Sequence, residues 1–154
     1  MDAVFKKLNY KVQKDIVVLN APGSFEQNIR SLPMVQVHRQ LEDVPELSFF
    51  MCFVQKQEEI DRIVPHLVLK LKGDAVLWFC YPKGTSKKYK CDFNRDTGWT
   101  LMGKYALEPV RMVAIDDDWS ALRFRKVEFI KNITRSEGFA LSKEAKERTT
   151  NRGE

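Results

Sequence analysis

Apolar positions along the chain alternate between two spacings, short continuous runs and helical stripes, and the order of these segments outlines a fold. Ala3, Val4, Phe5 and Leu8 suggest a short helix, after which Ile16-Val17-Val18-Leu19, with Val12 before it, reads as a buried strand stopped by Asn20-Ala21-Pro22-Gly23. Ser24 and Gln27 have capping-box spacing, and Phe25, Ile29 and Leu32 continue at helical intervals to Pro33. Residues 34–38 alternate like a strand with one wet face, 41–46 read as a loop, and Leu47 to Val54 is apolar enough for a central strand.

From Gln57 to Leu71, Ile60, Ile63, Val64, Leu67, Val68 and Leu71 fall on one side of a helix, and Glu58, Glu59, Asp61 and Arg62 fall on the other. Pro65 is expected to kink it and Gly73 to cap it. Ala75 to Tyr81 is the clearest buried strand, followed by a basic loop over 82–90. Phe93 through Leu107 reads as a helix weakened by Gly98 and Gly103 and stopped by Pro109. A hairpin of 110–115 and 121–129, turning at Asp116-Asp117-Asp118, completes the core.

Strands alternating with helices predict an α/β fold: a three-layer, Rossmann-like, mostly parallel sheet whose C-terminal antiparallel hairpin adds an edge. One domain is expected over residues 1–130. Residues 131–154 are polar, with Ile133, Phe139 and Leu141 as isolated anchors, and read as a flexible tail.

Composition narrows this picture. The chain has 154 residues, of which 44% are hydrophobic and 31% charged, as in a globular domain able to bury a core without disulfides. No apolar run is long enough to span a membrane, and the opening residues lack a secretory signal, so a cytoplasmic, membrane-free protein is expected. Cys52, Cys80 and Cys91 show neither disulfide nor zinc spacing, which fits a reducing compartment. The net charge is +5, and the 82–96 segment, with five basic residues against two acids, holds much of that excess.

Ligands of open α/β sheets bind beyond the carboxyl ends of the strands, which directs attention to Asn20 to Ser24 and to the 82–90 loop. There Lys83, Gly84, Thr85, Ser86 and Lys87 combine backbone freedom, hydroxyls and ammonium groups suited to an anion, with Asn20 and Ser24 on the neighbouring loop. The same loop also reads as an ordinary solvated surface. Neither a Walker loop nor a Gly-x-Gly-x-x-Gly fingerprint is present. The aspartates at 116–118 could ligate a hard cation, but consecutive strand residues point to opposite faces and no calcium-loop spacing exists, so a turn is the better reading and no metal is expected. His38 and His66 have no signature partner and no serine lies in a nucleophile elbow, which argues against catalysis.

The segment from Ala75 to about Arg125 resembles an uncharacterised bacterial family known only as a domain of unknown function. Leu77-Trp78, Tyr81-Pro82-Lys83, Pro109-Val110 and Val113-Ala114-Ile115-Asp116 carry the resemblance, with Asp118-Trp119-Ser120-Ala121-Leu122-Arg123-Phe124-Arg125 after them. Asn20-Ala21-Pro22 extends it to about residues 5–130, while the loop from Gly84 to Lys90 and the tail depart from it. The resemblance implies a compact bacterial cytosolic domain, with Pro82-Lys83 and Asp116, Asp118, Trp119 and Ser120 as a possible site edge; it supplies no cofactor and no catalytic residue. Were Lys83 and Asp118 to meet, a structural ion pair would be the simplest account.

The expected function is therefore a non-enzymatic domain binding an anionic small molecule or a protein partner. The alternatives are nucleic-acid binding through the basic loop and tail, and a metal-assisted enzyme using the aspartates.

Overall fold

The computed structural model describes residues 2–93 and 98–130. Their centre is a six-stranded sheet of β1 (Asp15–Leu19), β2 (Gln36–His38), β3 (Leu47–Phe53), β4 (Leu71–Pro82), β5 (Leu107–Ala114) and β6 (Trp119–Lys126), in the order β2-β1-β3-β4-β6-β5. β1 pairs in parallel with β2 and β3, and β3 with β4, whereas β6 runs antiparallel to both β4 and β5. The expected α/β architecture, mostly parallel with an antiparallel C-terminal pair, is present.

The apolar runs form strands because both sheet faces are covered. Residues 75–82 of β4 are all buried. On one face Ile16, Val18, Phe49, Met51, Trp78 and Cys80 pack beneath α1 (Ala3–Lys7) and α2 (Glu26–Arg30), which contribute Phe5 and Ile29. On the other face Val17, Leu19, Phe50, Cys52, Leu77, Phe79 and Tyr81 lie against α3 (Gln57–Leu67) and α4 (Thr100–Lys104), which bring Ile60, Val64, Leu67 and Met102. The buried Trp78 indole donates to the Leu8 carbonyl at 2.8 Å, which fixes the exit of α1 on β4 and satisfies a polar group the core would otherwise strand.

Several boundaries differ from the sequence reading. Val12 is 87% exposed and outside β1, and Met34, fully exposed at φ 50°, precedes a β2 of three residues. Ser24 makes no capping box; it lies within a one-turn helix, Gly23–Phe25, that passes into α2 at Phe25 with no side-chain cap. Pro65 sits inside α3 without ending it, since α3 continues to Leu67. One turn of 3-10 helix, Val68–Lys70, then leads into β4, so Leu71 and Gly73 belong to a strand and Gly73 (φ +54°) caps nothing. The helix expected over 93–107 is only Thr100–Lys104, because β5 begins at Leu107 and accommodates Pro109.

The hairpin adds the expected antiparallel edge, with its second strand innermost. β6 is interior, between β4 and β5, and the sheet ends on β5. Ala121 and Phe124 of β6 are fully buried, while Arg111 and Met112 of β5 are exposed, Pro109 interrupts its donors and the register shifts between Pro109 and Arg111. A strand with those features tolerates an edge. Among the described residues no helix is long and apolar enough to cross a membrane. The expected tail, 131–154, lies outside the described residues.

Candidate functional site

The chain leaves β1 in one direction to form β2 and returns on its other side to form β3, so the carboxyl ends of β1 and β3 flank a topological switch point. Three adjoining cavities occupy this edge of the sheet. The first, about 320 Å³, is lined by Asn20 at the end of β1, Leu41 and Glu42 from the one-turn helix after β2, Cys52, and Glu59, Arg62, Ile63 and His66 of α3. The second, about 400 Å³, shares Glu59 with the first and adds Gln55, Lys56, Lys90, Cys91 and Asp92. The third, about 530 Å³, shares Lys90 and Cys91 with the second and extends across the end of β4, lined there by Tyr81, Lys83, Gly84, Thr85, Ser86, Tyr89, Phe93, Met112 and Ser120.

At the switch point the backbone is prepared by Asn20, whose φ of 58° is in the left-handed region that asparagine tolerates best among side-chain-bearing residues. The Leu41–Asp43 turn is held from below: Lys70 Nζ donates to the Leu41 and Val44 carbonyls at 2.8 and 2.7 Å, leaving the exposed Glu42 carboxylate at the crevice. Two carboxylates hold the β3–α3 turn, one from α3 and one from the loop after β4. Glu59 Oε1 accepts from the Gln55 and Lys56 amides at 2.9 Å each, and Asp92 Oδ1 accepts from the Gln57 amide at 2.7 Å. These carboxylates occupy amide donors that a bound phosphate would otherwise use at this helix start.

The basic loop is held more firmly than the sequence implied. Ser86 is buried, and its hydroxyl donates to Asp118 Oδ1 at 2.8 Å while accepting from the Lys88 and Tyr89 amides at 3.3 and 3.1 Å. The Lys83 amide donates to the Asp118 carbonyl at 2.8 Å, so loop and hairpin turn do meet, through these bonds and not through the expected ion pair. Asp116 Oδ1 accepts from the amides of Asp118 and Trp119 at 2.8 Å each, closing the turn. Among the described residues no cluster of three His, Cys, Asp or Glu side chains could hold a metal ion.

Lys83, Gly84, Thr85, Ser86 and Ser120 are thus brought together around the third cavity, and Asn20 opens onto the first. Lys87 and Ser24 are exposed and line none of the three. Asp116 and Asp118 are structural in the turn. Trp119 is 2% exposed, edge-on to Phe53 at 5.1 Å and packed on Tyr89 at 4.9 Å. Glu42 escaped sequence reasoning because it comes from a different element than Glu59 and His66, which lie two turns apart on α3. The spacing from Asn20 to Glu42, roughly the twenty residues that separate a nucleotide-binding turn from its ribose-binding acid, was the signal available.

The cysteines are not ready nucleophiles. Burial pushes the Cys52 and Cys80 thiols well up, and Cys91, which lines two cavities, is raised by partial burial with Asp92 and Glu59 adding to the effect.

No protein-family model matches the chain, and no curated protein matches it. Among solved structures it is similar to phosphoethanolamine N-methyltransferase 2 of Haemonchus contortus, in complex with phosphomonomethylethanolamine and S-adenosylhomocysteine. That match has a TM-score of 0.52 and 12% identity over 87% of this chain, which spans only 39% of the enzyme's length. A Streptococcus agalactiae protein of the NADB-Rossmann superfamily matches with a TM-score of 0.49 and 10% identity over 87% of this chain and 71% of that one. The N-methyltransferase NodS of Bradyrhizobium japonicum matches with a TM-score of 0.47 and 14% identity over 79% and 91%. The fold is Rossmann-like, of the kind on which the Haemonchus methyltransferase is built, and this likeness overturns the expectation of a non-enzymatic binding domain.

Proposed function

We propose that the chain is a methyltransferase-type domain that takes an S-adenosyl nucleoside in the crevice at the switch point and works in the cytosol. The fold likeness opens this reading, and one observation carries it: the crevice sets the carboxylates Glu42 and Glu59, with Arg62 and His66 beside them, around Asn20 and the apolar side chains of Leu41 and Ile63. Such a donor set fits a nucleoside with a cationic end and no phosphate. It does not fit a dinucleotide, whose pyrophosphate needs a glycine-rich turn and free helix-start amides. Here that turn contains Pro22, which lacks an amide proton, and the amides at the start of α3 are already bonded to Glu59 and Asp92. The three free cysteines suit a reducing compartment.

Glu42 is the residue assigned to the ribose hydroxyls, as an acceptor held by the Lys70 clamp; Leu41 and Ile63 would flank the base, and Glu59 would face the cationic portion. When bound, S-adenosylmethionine supplies an electrophilic methyl group. The protein's part is to orient the nucleoside toward the adjoining cavities.

Calorimetric titration with S-adenosylhomocysteine, NAD+ and ATP tests this. S-adenosylhomocysteine is expected to bind and the two phosphate-bearing nucleotides not to, with Glu42→Gln weakening the former roughly tenfold or more, the loss of one hydrogen bond to a charged acceptor. Binding of NAD+ or ATP with none of S-adenosylhomocysteine would overturn the reading.

A further inference from the structure

The third cavity has a character that the switch-point crevice lacks. Its floor is aromatic and soft: Tyr81 is 7% exposed and donates its hydroxyl to Met112 Sδ at 3.3 Å, Phe93 packs on Tyr81 with ring centroids 6.0 Å apart, and Tyr89 closes the side nearest Trp119. Its polar lining brings cations and hydroxyls, with Cys91 beside them. Lys83 is half-buried, Lys90 is exposed, and Thr85 and Ser120 line the same space. Among the described residues no carboxylate lines it: Asp118 is turned to Ser86 and Asp92 to Gln57.

We propose that this cavity is the acceptor pocket of the domain and that it takes a small planar aromatic compound carrying an acidic group, with the ring on Tyr81, Tyr89, Phe93 and Met112 and the acid on Lys83 and Lys90. The inference rests on the transferase reading above and deepens it by naming the acceptor class. Three features of the site support it. A cavity of about 530 Å³ is of the size that encloses small organic ligands. Aromatic and thioether walls favour a flat π-system over a saturated one. Two ammonium groups, with no carboxylate beside them among the described lining residues, form a positive rim that an anionic substituent complements. The position agrees as well, since Lys90 and Cys91 belong to both this cavity and the second, and the second shares Glu59 with the crevice.

The test is calorimetric titration of the full chain with 4-hydroxybenzoate, with benzyl alcohol as the neutral aromatic and cyclohexanecarboxylate as the saturated acid. S-adenosylhomocysteine is titrated into the same preparations. The aromatic acid is expected to bind about tenfold more tightly than either control, and Lys83→Gln with Lys90→Gln to remove that advantage while leaving benzyl alcohol, S-adenosylhomocysteine and the melting temperature unchanged. Equal binding of cyclohexanecarboxylate, or no binding of the aromatic acid to a protein that still binds S-adenosylhomocysteine, overturns the pocket assignment alone. Binding of a short single-stranded RNA through Lys83 and Lys90, with no binding of the aromatic acid, overturns it in favour of a macromolecular substrate. Aromatic-acid binding by a protein that takes no S-adenosylhomocysteine overturns the acceptor role through failure of the underlying reading.

Discussion

Two neighbouring stretches of the same sheet edge are built in opposite ways. At the end of β4 the loop is part of the protein's framework, with Ser86 buried on Asp118, the Lys83 amide on the Asp118 carbonyl, and Tyr89 packed on Trp119. At the switch point the exposed side chains Asn20, Glu42, Arg62 and His66 are laid on a backbone that other residues hold in place. The backbone that carries the binding groups of the first region is therefore tied to stability through Ser86, Asp118 and Trp119, whereas the side chains of the second are nearly free of it. Substitution should separate the two.

The largest effect is expected at the framework end. Trp119→Ala removes a buried indole that contacts both Phe53 and Tyr89, and large-to-small changes of aromatic core residues cost about 3–5 kcal/mol. Denaturant unfolding measures it. A loss below about 1 kcal/mol would mean that the loop and β6 are not coupled through this ring.

Ser86→Ala comes next. It leaves Asp118 Oδ1 and the Lys88 and Tyr89 amides without the hydroxyl that joins them, at a cost of about 1–3 kcal/mol. Glu42→Gln, at the other end of the comparison, should change unfolding by no more than about 0.5 kcal/mol, as for exposed substitutions generally. Equal losses in the two variants would erase the distinction between the regions.

The same contrast explains what could be read from the chain. β1, β3 and β4 were legible because burial on two faces demands continuous apolar runs, and 16–19, 47–54 and 75–81 are such runs. The 82–90 loop was legible as a cavity wall because its residues are contiguous, although Ser86, read as an anion contact, proves to be a structural hydroxyl. The end of α3 was not legible: Val68 and Leu71 keep helical apolar spacing while the backbone tightens and turns into β4. Nor was the insertion of β6 between β4 and β5, since a hairpin pattern fixes which strands pair locally and says nothing of which one meets β4. The crevice was hidden for a related reason: Glu42, between β2 and β3, reaches Glu59 and His66 of α3 only through the crossing of the chain from β2 to β3.

A further small effect tests how far the exposed region is independent of the frame around it. Arg39, which follows β2 and lies near the Leu41–Asp43 turn in sequence, donates to both Glu26 oxygens at 2.9 and 2.8 Å and so ties the exit of β2 to α2. That hydrogen-bonded guanidinium holds the Glu26 carboxyl below its ordinary value of 4.5. A carboxyl depressed in the folded state adds stability that is fully present above its unfolded pKa and is lost as pH falls through the lower, folded one. The wild type should therefore lose this contribution below about pH 4.5, and Arg39→Met should abolish that part of the acid slope while leaving stability near pH 7 lower by at most about 1 kcal/mol, the scale of an exposed pair. Denaturant midpoints from pH 7 to pH 3 measure both. If Arg39→Met also weakens S-adenosylhomocysteine binding about tenfold at pH 7, the pair positions the Glu42 turn, and the crevice depends on its frame after all. Unchanged affinity would leave the Lys70 contacts as the clamp that holds Glu42 in place.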